Sequence, residues 1–104
     1  MVDVRITVLE RTSRPELIKE YAAPEMTNKC SAVKDGQVWI SKGGNKPEGF
    51  CEEAWSAFTR YVFALSQGGE GFWPGWIPER YISINSCNDG LRPVIFKLEA
   101  IRES

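Results

Sequence analysis

The sequence predicts an α+β domain, a small antiparallel sheet of about four strands covered by one long and one short helix. Three observations predict it. Residues 2–9 and 94–101 each alternate apolar and polar side chains with the period of a strand. Residues 51–67 instead repeat apolar side chains at helical spacing. Turn dipeptides, Asp35-Gly36 and Asp89-Gly90, punctuate the chain just before two of the strand-like runs. A length of 104 residues suits one domain, residues 1–104, which buries roughly two-thirds of its unfolded surface without needing metal or disulfides.

Each element follows from its local pattern. In residues 2–9, Val2, Val4, Ile6 and Val8 share one face, against Asp3, Arg5 and Thr7 on the other. Ser13-Arg14-Pro15-Glu16 reads as a helix start, with Ser13 as cap, Pro15 in the first turn and Glu16 completing a capping box. That helix is short, with Leu17, Ile18 and Tyr21 as its apolar stripe and Pro24 as its limit. Residues 24–36 are irregular and polar, and a short strand is expected over 37–41. Lys42 to Gly49 is a loop. The long helix carries Ala54, Trp55, Phe58, Tyr61, Val62 and Leu65 on one broad face. Glu52 and Glu53 suit its positive end, and Gly68-Gly69 supplies a left-handed stop. An aromatic Gly/Pro loop over 68–78 follows, then a strand near Tyr81–Ser86, a hairpin turn at Asn88-Asp89-Gly90 and a last strand over 94–101. Pro93 precedes that strand, where a missing amide donor does least harm.

Composition narrows the functional classes. The formal charge is −1, and the 13 Lys and Arg are spread along the chain, so neither nucleic acid nor an anionic membrane is an expected partner. No stretch approaches the roughly 20 apolar residues of a membrane helix. The start alternates instead of showing a cationic segment and an apolar run, and the cysteine count is odd. A cytoplasmic setting with free thiols is therefore expected. There is no histidine, which removes the usual general base, zinc ligand and neutral-pH switch.

Three blocks, Lys34-Asp35-Gly36-Gln37-Val38-Trp39-Ile40, Lys46-Pro47-Glu48-Gly49-Phe50-Cys51-Glu52-Glu53-Ala54-Trp55 and Cys87-Asn88-Asp89-Gly90-Leu91-Arg92-Pro93-Val94-Ile95-Phe96-Lys97-Leu98-Glu99, cover much of the chain. Together they resemble a small uncharacterised bacterial and fungal family. Its pattern is a cysteine shortly before a Gly-Gln strand, a Pro-x-Gly-Phe-Cys helix start and a Cys-x-Asp segment before the last strand. Its units sometimes repeat within a chain, whereas one copy is seen here. The resemblance implies that the family's cysteines fall on Cys30, Cys51 and Cys87. Cys30 is followed by Ser31-Ala32 where the family often has proline. A fold and a residue set are implied, and no reaction.

The chemistry expected is that of thiols, carboxylates, tyrosines and Lys/Arg. Cys51 opens the long helix, where the macrodipole favours thiolate and Glu52 and Glu53 oppose it; the plainer reading is a packed structural thiol. Cys87 and Asp89 lie two apart around a turn, with Arg92 able to hold an anionic group in its planar fork, although turn chemistry alone accounts for Asp89-Gly90. Three thiolates would make a zinc site, but no Cys-x-x-Cys pair supplies two ligands from one knuckle, so no metal and no cofactor is expected. Trp39, Trp73 and Trp76 are the candidate ligand-contacting aromatics, the last two flanking Pro74-Gly75.

Two functional classes follow. One is a small-molecule-binding protein, with a cofactor-free enzyme doing proton-transfer chemistry of isomerase or lyase type as its catalytic version. Its apolar pocket would lie between the long helix, the tryptophan loop and the terminal hairpin, with Cys51, Cys87 and Asp89 as catalytic groups and Arg92, Trp73, Trp76 and Trp39 as binding groups. The other is a non-catalytic module that forms a homo-oligomer through the aromatic loop. A thiol or metal-binding role ranks third.

Overall fold

The computed structural model describes residues 1–102. In chain order the elements are β1 (Val4–Arg11), α1 (Pro15–Tyr21), β2 (Val38–Ser41), α2 (Glu52–Ser66), β3 (Ile82–Ser86) and β4 (Val94–Ala100). The four strands form one antiparallel sheet in the order β2-β1-β4-β3. This is the α+β architecture that the patterning predicts, with β1 and β4 in the centre and the short strands at the edges.

Alternation on the central strands decides which face is buried. Val4, Ile6 and Val8 of β1, with Val94, Phe96 and Leu98 of β4, point to one side and are essentially inaccessible. Helix α2 lays Ala54, Phe58, Val62 and Leu65 on that side, so one amphipathic helix and one sheet face close a single core. Phe50, just before the helix, wedges into it. Its ring centroid lies 5.9 Å from Phe58, 5.8 Å from Phe96 and 4.8 Å from Trp39. Each such buried side chain contributes about 1.5–3 kcal/mol through removal of apolar surface from water.

The ends of α2 follow from its sequence. Cys51 is the extended N-cap residue, and its carbonyl accepts from the Trp55 amide at 3.0 Å. At the other end Gly68 adopts φ +95°. Its amide donates to Leu65 at 3.1 Å, and that of Gly69 donates to Ala64 at 2.8 Å. These two bonds make a Schellman stop that satisfies carbonyls the helix leaves unpaired.

Four local expectations are revised. Strand β1 runs two residues past Leu9, because a bulge between Val8 and Glu10 lets the ladder continue to Arg11↔Val94 after the alternation breaks. Helix α1 is capped by Arg14 with Pro15 at its first position, and no side chain caps it, so the Ser13 capping box does not form. Of its expected apolar stripe only Ile18 is buried, since Leu17 and Tyr21 face solvent. The β3–β4 connection is wider than a two-residue hairpin. Gly90 does not adopt positive φ, and the turn is instead closed by the Asp89 side chain.

The irregular segment between α1 and β2 is tied to the sheet by two arginines. Arg11 donates to the Cys30 carbonyl at 3.2 Å and to Asp35 Oδ1 at 3.2 Å. Arg92 donates to Thr27 Oγ1 at 3.0 Å. No helix among the described residues is long and apolar enough to cross a membrane.

Candidate functional site

The expected site residues fall into three groups. The first is at the start of α2, where Trp39 meets Phe50 edge-on and Phe50 meets Trp55 edge-on at 6.2 Å; Cys51 is half-buried in this neighbourhood against the core. The second is the β3–β4 turn with Cys87, Asp89 and Arg92. Asn88 links these two groups, since its amide donates to Ser56 Oγ at 3.0 Å and to Glu53 Oε1 at 3.4 Å on the first turns of α2. The third group is the tryptophan loop, which lies farther along the helix at Tyr61.

The polar candidates are committed to holding the fold. Asp89 Oδ1 accepts from the amides of Leu91 at 2.8 Å and Arg92 at 3.0 Å, and its Oδ2 accepts from Arg92 Nε at 3.2 Å. Burial opposes ionisation of this carboxyl, but the amides of Arg92 and Leu91 and the guanidinium outweigh it and hold the group below the usual carboxylate range. Arg92 spends its fork on Asp89 and Thr27. The Cys87 thiol accepts from the Val94 amide at 3.4 Å, bridging the open end of the turn. All three cysteines are free thiols, and no group of three or more His, Cys, Asp or Glu among the described residues is placed to hold a metal ion. Among the described residues, Cys51, Cys87, Asp89, Arg92 and the tryptophans line none of five surface concavities of 390–500 Å³. The apolar pocket expected beside the helix start is thus not among them.

The tryptophan loop builds something different. Trp73-Pro74-Gly75-Trp76 is a tight turn, with Pro74 in second place, Gly75 at φ +82° in third and the Trp76 amide bonded to the Trp73 carbonyl at 3.0 Å. Such a turn brings its first and fourth residues together, and the two indoles stack at 5.6 Å and 20°. Trp73 in turn stacks on Tyr61 of α2 at 5.6 Å and 22°. Phe72 meets Tyr61 edge-on at 5.8 Å, and the Arg60 guanidinium lies 5.2 Å from the Tyr61 ring centre. The result is a ladder of three near-parallel rings rising from the helix to solvent, and its top ring, Trp76, is 78% exposed.

The ladder is held from below and at its base. Trp73 Nε1 donates to Ser83 Oγ at 2.9 Å, and Ser83 donates to Asn85 Oδ1 at 2.5 Å. Ser83 is fully buried. The loop's neck is closed by the Gly71 amide on the Arg80 carbonyl at 2.7 Å and by an Arg80–Glu70 ion pair. Tyr61, Ser83 and Asn85 are therefore site residues that sequence reasoning did not single out. Tyr61 lies on the helix's apolar face and reads as core. The sequence signal for this region was the pair of tryptophans flanking Pro74-Gly75 in a loop, which did not show that they stack. Comparison with models of protein families, with curated proteins and with solved structures finds no match for this chain.

Proposed function

We propose that this protein binds a small neutral ligand with a flat face, a pyranose ring or a planar heterocycle, on the outer face of Trp76. The observation that carries this reading is the Tyr61–Trp73–Trp76 ladder, which leaves one indole face bare on a loop whose turn, neck and base are all bonded. A platform held this way loses little freedom when a ligand lands, so stacking energy is not spent on ordering the loop. A neutral ligand fits a chain of net charge −1 whose basic residues form no patch. Asp89 supplies no proton carrier to this reading, because both of its oxygens already accept from Leu91 and Arg92. Three unpaired thiols suit a reducing compartment, and we place the protein in the cytosol on that ground.

The test is titration of the protein's tryptophan fluorescence with methyl glucoside and with caffeine, neutral probes of the two ring types. Saturable quenching by one of them, weakened about five- to 150-fold in Trp76→Ala, is expected from one stacked ring worth about 1–3 kcal/mol. Saturation that Trp76→Ala leaves unchanged, or no saturation with either probe, would overturn the reading.

A further inference from the structure

We propose that this protein forms a twofold dimer through the sheet face that α2 does not cover. The first observation is an inversion on both edge strands. On β3, Ser83 is fully buried while Ile84 is exposed; on β2, Ser41 is fully buried while Val38 and Ile40 are exposed. A sheet with one dry face and one wet face turns its β-branched apolar residues inward and its serines outward. Both edges here do the reverse. These residues put three large apolar side chains, 36–48% exposed, on the uncovered face.

The second observation is the order of residues across that face. Register fixes one row as Ile40, Arg5, Glu99, Ile82 and the next as Val38, Thr7, Lys97, Ile84. Arg5 and Glu99 pair at 3.3 Å in the middle of the sheet. Consider a twofold axis lying along the strands, midway between β1 and β4, within the roughly 30° that sheet twist imposes on face-to-face packing. It places β1 over β4 of the second copy and β2 over β3. Arg5 then meets Glu99 of the other copy and Glu99 meets Arg5, while Ile40 meets Ile82 and Val38 meets Ile84. Apolar margins land on apolar margins, Arg5 and Glu99 each land on their opposite, and Lys97 lands on the neutral Thr7. A row reading apolar, positive, negative, apolar is complementary to itself under this rotation, so a second copy is the occupant it fits.

Four strands about 4.8 Å apart and some 20 Å long give a footprint of about 400 Å² per copy, about 800 Å² in total and below the size of a stable specific interface, so a weak, transient association in the hundreds of micromolar is expected. Sedimentation equilibrium from about 5 to 500 µM should show a monomer–dimer equilibrium. Val38→Lys and Ile84→Lys, at exposed edge positions that tolerate lysine, should each weaken it at least tenfold with an unchanged circular dichroism spectrum. Arg5→Glu alone and Glu99→Arg alone should each sediment as monomers, and an equimolar mixture of the two should recover a heterodimer, since mixing restores opposite charges only between chains. Trp76→Ala should leave the equilibrium as it was, which separates this surface from the stacking platform. A monomer throughout the range, association indifferent to the two lysines, or a mixture that stays monomeric would each overturn the dimer.

Discussion

Replacing Ser83 with alanine tests whether the aromatic ladder rests on a buried hydrogen bond or only on ring contacts. Ser83 is fully buried, accepts from the Trp73 indole at 2.9 Å and donates to Asn85 at 2.5 Å. Ser83→Ala removes almost no volume but leaves the indole N–H facing a methyl group and Asn85 without its donor. An orphaned buried donor costs about 1–3 kcal/mol and a lost ordinary bond about 1 kcal/mol, so a loss of about 2 kcal/mol is expected. For a domain of this size that corresponds to a fall in Tm of about 10 °C. Urea unfolding followed by circular dichroism measures it, and Trp73→Phe provides the control. With no indole N–H to orphan, Ser83→Ala in that background should cost only about 1 kcal/mol, a coupling of about 1 kcal/mol. Additivity of the two substitutions to within about 0.5 kcal/mol would refute this coupling, because the serine and the indole would then be energetically independent.

Other expectations are as direct. Asp89 has a lowered carboxyl pKa in the folded protein, so its stabilising contribution is complete above the ordinary carboxylate value and is lost as pH falls through the folded one. Stability measured from pH 5 down to about pH 2 should therefore decline less steeply in Asp89→Asn than in the native protein. A steeper or equal decline would remove Asp89 from the acid transition. Asp35, lowered first by the Arg11 amide and then by the Arg11 side chain, should behave the same way in Asp35→Asn. Gly69→Ala would set a methyl carbon 2.8 Å from the Ala64 carbonyl oxygen, a backbone atom that cannot swing aside. A loss of about 1–3 kcal/mol in denaturant unfolding is expected, and a neutral result would mean the Schellman stop relaxes freely.

The sequence reading was strongest where one pattern acted alone. Helix α2 declares itself through Ala54, Phe58, Val62 and Leu65, and its end through two glycines. The terminal hairpin was visible because Val94, Phe96 and Leu98 alternate strictly. Strand order was not, because β1 sits between β2 and β4 through pairings that no local pattern encodes, such as Val4 with both Ser41 and Ala100. On β3 the local signal points the wrong way, since hydrophobicity would bury Ile84, while Trp73 and Asn85 supply the hydrogen bonds that let Ser83 be buried instead. At the candidate site the tryptophans and their Gly/Pro loop were legible. That Asp89 and Arg92 would consume each other was not, because the choice between a ligand and a neighbour is made by geometry three residues apart.

The central position of β1 and β4 sets a timetable for the polypeptide during synthesis. Val4 pairs with Ala100 and Ile6 with Leu98, so the two central strands of the sheet are separated by most of the 104 residues. A nascent chain carrying everything up to β3 can pair β1 with β2, but the edges of β1 and β3 that face β4 stay without partners until β4 is made. Closure of so long a loop places refolding in the millisecond-to-second range typical of non-local β pairing, well behind the microsecond appearance of α2.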